Sequence, residues 1–511
     1  MSDSSSLRHY PLGDLIVDSP HSVCVSLPTM ADVIGYEEKD PRVRNAMKGG
    51  YPRFFENRLI REVRAQIAQT LGVDVDSLVL FPNRAAAENA AAHCPQARTL
   101  RWLDQDAFCG MIVPSAETEL RQALHFYQQH TGHMLSSREA EDWLIARGLR
   151  SEAWPESLSA DNPEAADLQI REHLHDAYRT DSVDDIYLFR GGMSAFYAGF
   201  QCLRDLQQTQ GKHVWVQLGW LYVDTIRVLE KWAIPGKEPV IFHKVLDLDA
   251  LERLFASHGP DIAGVVTEIP TNPLVQTTDL PRLREICSRF GAALILDPTM
   301  ASPHNVNILP YSDLHVNSLT KYASHEADTL IGALGLNTQS PFYAPLKDQL
   351  PAYRVPPHGR DLRRLASMIH RYPDVVEGVN ATTPKVVEWL ERHPLVESVW
   401  WARSAATAAE FDRIAHKSGG PGCMISFKLK QPIQPFYDRL RMAKTPSFGA
   451  RFSMVCPFLY LAHYDLVSSP DGRRILESAG IPPELIRLSI GLEPAEAIIS
   501  SLDQALTPQG S

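Results

Sequence analysis

The chain of 511 residues contains no apolar run near the roughly 20 residues that a membrane-spanning helix needs. Cysteine is sparse: the seven (Cys24, Cys94, Cys109, Cys202, Cys287, Cys423, Cys456) are odd in number, widely spaced and without a C-x-x-C pair. That pattern disfavours a disulfide framework or a zinc site and favours buried thiols. Basic patches are lacking too. Fifty Lys and Arg stand against 61 Asp and Glu, a net charge of -11, and the bases are scattered, so neither nucleic acid nor an anionic membrane is expected as partner. The opening MSDSSSLRHYPLGD has neither a secretory apolar core nor a basic amphipathic pattern, which makes a cytoplasmic location the expectation. No internal repeat is evident.

What is present is a globular composition, 44% apolar and 22% charged, long enough for two to four domains and a deep site. Residues 1–72 read as an N-terminal arm followed by a helix with Leu59, Ile60, Val63, Ile67 and Leu71 at helical spacing. Residues 73–165 change texture and read as an insertion or extra subdomain, closed by a linker, SEAWPESLSADNPEAAD, rich in Ser, Pro and acids. From 166 to 357 short apolar runs alternate with helical patterns, which predicts a doubly wound, mostly parallel sheet of about seven strands whose last strand is antiparallel. The proline-rich joint QLPAYRVPPHGR then leads to a smaller α/β domain over 358–511.

Within the sheet region, Leu294-Ile295-Leu296 runs into Asp297 and Leu314 to Asn317 runs into Ser318-Leu319-Thr320-Lys321-Tyr322. Acid and lysine thus end adjacent strands, the edge at which open α/β sheets bind ligands. A lysine that can bond a cofactor aldehyde, a carboxylate for a pyridine nitrogen and hydroxyls for a phosphate are what pyridoxal 5'-phosphate requires. Taken singly, a lysine after a strand is more often a solvated turn residue. Upstream, Phe189-Arg190-Gly191-Gly192-Met193-Ser194 passes from strand through glycines to helix, a setting suited to a phosphate.

Together these residues resemble the pyridoxal-phosphate enzymes of cysteine and methionine metabolism. The resemblance runs through Tyr51-x-Arg53, Gly192-Met193, Tyr222-x-x-Thr225, Glu268-x-Pro270-x-Asn272-Pro273, Asp297-x-Thr299, Ser318-x-Thr320-Lys321-Tyr322, Ser447-x-Gly449 and Ile486-Arg487-Leu488-Ser489-x-Gly491. It is similar above all to the long, fungal-type cystathionine γ-synthase branch. It implies a fold-type I transferase in which Lys321 holds the cofactor, Asp297 pairs with its ring nitrogen and Tyr222 stacks on the ring. Gly192, Met193, Ser318 and Thr320 would hold the phosphate, with Thr299 beside them and Asn272 near the phenolic oxygen. Tyr51 and Arg53 would come from a second subunit, so a homodimer or homotetramer with shared sites is implied. Arg487, with Ser447 and Asn272, would bind a small amino-acid substrate. No metal is expected.

The implied activity is γ-substitution on an O-acyl-L-homoserine by a thiol such as cysteine. A β-keto acid nucleophile, cystathionine lyase activity and a non-catalytic cofactor-binding role stay open. The chain departs from the family pattern at Ser324-His325-Glu326-Ala327-Asp328, at Arg190-Gly191 and at Phe452, the last expected to make the pocket less polar.

Overall fold

The computed structural model describes residues 7–94, 96–97, 100–105, 108–159 and 162–507. Its main body is a seven-stranded sheet, ordered β4-β10-β9-β8-β7-β5-β6. In chain order these are β4 (Ile186–Phe189), β5 (Val214–Leu218), β6 (Val240–Phe242), β7 (Ile262–Glu268), β8 (Ala293–Asp297), β9 (Leu314–Ser318) and β10 (Gly332–Leu336). Strands β6, β5, β7, β8 and β9 run parallel, and β10 lies antiparallel between β9 and β4. The predicted α/β sheet is therefore present, and its last strand, β10, is antiparallel as expected.

Alternation along each strand divides the side chains between two apolar layers. Leu294 and Leu296 enter one layer, with Ile170 and Leu174 of the helix Pro163–Tyr178 and Leu283 and Cys287 of the helix Leu280–Phe290. Ala293 and Ile295 enter the other, with Phe196 and Phe200 of the helix Gly192–Thr209. All seven cysteines are buried as thiols. The helix Pro163–Tyr178 begins inside the expected linker: Asn162 caps its start and Pro163 occupies the first helical position, where a missing N–H costs nothing. No helix among the described residues is long and apolar enough to cross a membrane.

The C-terminal domain holds a five-stranded sheet, ordered β11-β12-β15-β14-β13: β11 (Val396–Trp401), β12 (Met424–Leu429), β13 (Ala443–Lys444), β14 (Met454–Pro457) and β15 (Ile486–Ser489). Three further strands among the described residues, β1 (Leu78–Phe81), β2 (Arg101–Asp104) and β3 (Cys109–Ile112), form a separate antiparallel sheet in the order β1-β3-β2. Leu78 and Leu80 pack there with Leu59, Ile60, Val63 and Ile67 of the helix Arg58–Leu71 and with Trp143 and Leu144 of the helix Ser137–Ala146. The helix expected to belong to the N-terminal arm thus shares a core with the expected insertion.

An internal repeat is present after all. Residues 75–94 and 183–202 are identical at seven of twenty positions, Val75/Val183, Asp76/Asp184, Leu80/Leu188, Phe81/Phe189, Ala87/Ala195, Ala90/Ala198 and Cys94/Cys202. Each copy runs from a short 3-10 turn (Val75–Ser77; Val183–Asp185) through a four-residue strand into a helix (Arg84–His93; Gly192–Thr209). Each follows a helix that ends in the left-handed conformation, at Gly72 and Arg179. Only seven matches, offset by 108 residues, hid it in the sequence.

Candidate active site

The carboxyl ends of β7, β8 and β9 open into one cavity of about 510 Å³. Tyr51, Arg53, Gly192, Met193, Tyr222, Asn272, Asp297, Thr299, Ser318, Lys321, Ser447 and Arg487 all line it. Of the expected site residues Thr320 alone does not reach the wall; its hydroxyl is buried without a hydrogen-bond partner.

Lys321 Nζ donates to Ser447 Oγ at 3.2 Å and lies 5.0 Å from the centre of the Tyr51 ring. Burial pulls its amine below the ordinary lysine range, which favours the neutral, nucleophilic form. Asp297 ends β8 directly opposite Glu268 on β7 and accepts the Thr299 N–H at 2.8 Å. Burial pushes the Asp297 carboxyl up to about 6. Glu268 is pushed well above its ordinary value, first by burial and then by Asp297. Thr299 Oγ1 accepts the Ser318 N–H at 2.9 Å, tying the turn after β8 to the end of β9.

The turn between β4 and the helix Gly192–Thr209 is held tightly. A Cβ at Gly192 would lie 2.9 Å from that of Ser318, and one at Gly332 of β10 would lie 2.3 Å from the Gly191 carbonyl oxygen. Ser194 Oγ, in the first helical turn, is buried without a partner. Tyr222 closes the next strand end: its N–H donates to Glu268 and its hydroxyl accepts from Arg53.

Arg487 is carried by β15, the central strand of the C-terminal sheet. Its Nη1 donates to Asn272 Oδ1 at 3.2 Å and its Nη2 to the Pro446 carbonyl at 3.1 Å, while the Phe458 ring lies 4.6 Å away. Phe448, Phe458, Leu461 and Ala462 supply the apolar wall. Phe452 does not: two residues before β14, it packs with Tyr10, Cys24 and Ala327, against the N-terminal arm.

Two placements depart from expectation. Tyr51 and Arg53 enter the cavity of their own chain. Arg53 donates to the Gln129 carbonyl at 3.1 Å and pairs with Asp224. The segment 73–165 is also part of the site, since Gln129, Gly132, Met134, Leu135 and Ser136 line the cavity. Asp224, two residues past Tyr222, was findable as an acid in a helix's first turn; Gln129 and Leu135 carry no signal in the sequence.

The residues fit pyridoxal 5'-phosphate. The Ser318 hydroxyl and the helix N-terminus at Gly192 and Met193, all on the cavity wall, suit a phosphate, and a protonated ring nitrogen is the cation that would stabilise the buried Asp297 as carboxylate.

The family described as "Cys/Met metabolism PLP-dependent enzyme" matches residues 172–507. Among curated relatives, an L-2-amino-4-chloropent-4-enoate dechlorinase/desaturase of Streptantibioticus cattleyicolor is 38% identical, over 96% of this chain and 97% of that protein. A cystathionine gamma-synthase of Neurospora crassa is 27% identical, over 97% of this chain and 98% of that protein. A cystathionine gamma synthase structure from Xanthomonas oryzae pv. oryzae shares the fold, with a TM-score of 0.58 and 23% identity over 67% of this chain and 85% of that one. The chain is a pyridoxal-phosphate-dependent enzyme and belongs to the Cys/Met metabolism family.

Proposed function

We propose that this enzyme breaks the bond between Cγ of an L-α-amino acid and an electronegative leaving group, with O-acyl-L-homoserine as substrate and a thiol such as cysteine adding at Cγ. The observation that carries the reading is Arg487, buried within the lysine-bearing cavity and held in orientation by Asn272 and Pro446. Its planar fork suits a substrate carboxylate held by two parallel hydrogen bonds.

In this reading Lys321 would hold the cofactor, Gly192, Met193 and Ser318 would surround its phosphate with Thr320 behind them, and Asp297 would keep its ring nitrogen protonated. The cofactor supplies an electron-poor ring that stores the electron pair released at Cα. Lys321, whose amine burial shifts toward the neutral form, takes the proton from Cα and then one from Cβ, so that the leaving group can depart from Cγ. Tyr222, whose phenol burial raises well above its ordinary value, lines the same cavity and would stack on the ring as a neutral phenol. The acyloxy group leaves Cγ as carboxylate, the thiol then bonds its sulfur to Cγ and releases its proton, and protons are returned to Cβ and to Cα.

A second reading is loss of the leaving group with no addition. It is favoured by the 38% identical relative, whose name places chlorine on the fourth carbon of its substrate, and by the apolar wall of Phe448 and Phe458, which offers a polar co-substrate few partners.

Purified holoenzyme given O-acetyl-L-homoserine with and without cysteine, and separately 2-amino-4-chloropent-4-enoate, decides between them. Cystathionine by mass spectrometry supports addition, and chloride release supports elimination. Turnover of neither substrate sinks the Cγ chemistry.

A further inference from the structure

Two observations meet at Arg53. The first is its set of contacts, all within one chain. The side chain is 7% exposed and pairs with Asp224, itself at 0%; Asp224 Oδ1 also takes His130 Nδ1 at 2.8 Å. Burial alone would raise the Asp224 carboxyl, but Arg53 and then His130 hold it below the usual carboxylate range. Gln129 and His130 end the helix Thr118–Thr131. The next residue, Gly132, is left-handed, and a Cβ there would lie 3.3 Å from Ser194 N. One turn of the expected insertion thus touches both the arm and the phosphate-type turn.

The second observation is the repeat. The unit that follows Tyr51 and Arg53 is a shortened copy of the one that opens the cofactor-binding sheet. Its own turn, Pro82-Asn83-Arg84, lacks the glycines, and Asn83 Oδ1 accepts the Ala86 N–H at 2.8 Å, filling the place an anion would take. The copy therefore offers no ligand site of its own. It is fastened to the rest of the chain by Arg190–Glu139 at 2.6 Å, Arg138–Asp361 at 3.0 Å and Arg360–Glu141 at 2.8 Å.

We propose that residues 51–146 stand in for a partner subunit within a single chain. Tyr51 and Arg53 serve the Lys321 of their own chain, and Asp224 and His130 are the positioning residues that hold Arg53 at the cofactor. The proposal rests on the reading of the Lys321 cavity as the cofactor site, and it makes cofactor binding independent of self-association.

The test co-expresses Lys321→Ala and Arg53→Ala chains under two affinity tags and follows the visible cofactor band and its loss on dialysis. The proposal expects the Arg53→Ala chain to lose cofactor about tenfold faster than wild type, alone or in the mixture. Return of wild-type retention in the mixture overturns it, because the Lys321→Ala chain would then be lending its Arg53. A wild type that binds no pyridoxal phosphate at all removes the cofactor reading instead, so the two failures are distinct. Should Arg53→Ala fail to fold, a photoreactive phenylalanine in place of Phe54, which lines the cavity beside Arg53, reports in the otherwise native holoenzyme. Linkage within one chain leaves its mass unchanged on a denaturing gel, whereas linkage between chains doubles it and overturns the proposal. For the positioning role, His130→Ala speeds cofactor loss and His130→Asn, which keeps a donor near Nδ1, restores retention; unchanged retention in His130→Ala refutes it.

Discussion

Arg487 alternates with Ile486 and Leu488 on β15, and from that pattern alone it could as well face solvent as a site. Its 4% exposure and its bonds to Asn272 and Pro446 decide the matter. Replacing guanidinium by ammonium removes a forked contact while keeping the charge. Arg487→Lys should therefore lower kcat/KM by about 10- to 100-fold, mainly through KM, on the scale of one charge-assisted hydrogen bond at about 1.5–3 kcal/mol; unchanged steady-state kinetics would remove the carboxylate clamp. Asp297 supplies a prediction with a sign. In the cofactor-free protein its carboxyl is raised to about 6 by burial, so between about 4, its value when unfolded, and 6 the folded chain binds more protons than the unfolded one. Stability of the apoenzyme then falls as pH rises through that window. Asp297→Asn should flatten the fall and stabilise the apoenzyme above pH 6 by about 3 kcal/mol, seen as a higher urea midpoint, while weakening cofactor binding. A variant whose urea midpoint tracks wild type across the window refutes this.

At the scale of elements, β10 matters more than its missing side chains suggest. It lies between β9 and β4, and Gly332 lets the turn at Gly191 and Gly192 come within 2.3–2.6 Å of where a Cβ would be. Backbone cannot give way as a flexible side chain can. Gly332→Ala should shift that turn, cost about 1–3 kcal/mol and release cofactor on gel filtration, leaving far-ultraviolet circular dichroism unchanged. Full cofactor retention would show that the turn does not depend on this approach. The segment after the lysine, where the sequence leaves the family pattern, has an element-level explanation. The Ala327 carbonyl accepts the Val23 N–H at 2.9 Å, and the Asp328 carbonyl accepts from Arg138 at 2.8 Å. Ala327 packs with Tyr10 and Val23 of the N-terminal arm and Glu326 pairs with Arg451 at 2.9 Å, partners with which they had no visible connection in the sequence.

Across the whole molecule, one buried arginine joins regions far apart in the chain. Arg138, 1% exposed as a side chain, pairs with Glu156 at 2.7 Å, Asp361 at 3.0 Å and Asp328 at 3.4 Å. These come from the expected linker, the start of the C-terminal domain and the segment beyond Lys321. Removing one member of such a cluster leaves buried charge uncompensated, so Arg138→Ala should cost about 3–5 kcal/mol in denaturant unfolding; a loss under about 1 kcal/mol, typical of an exposed pair, would mean that the cluster does not bind the regions together.

The sequence by itself determined the parts that depend on local pattern: strand and helix periods, the glycine turn at Gly192, and the acid and lysine that end neighbouring strands. These are legible because hydrophobic period and chain order place Asp297 and Lys321 at the same edge whatever surrounds them. Only the tertiary structure decided that Arg53 meets Asp224, 171 residues away, that Gln129 and Leu135 line the cavity, and that Phe452 turns away from it. Contacts between distant segments carry no local signature, since burial, charge pairing and the fit of a small unit such as residues 58–146 are fixed only when the whole chain packs.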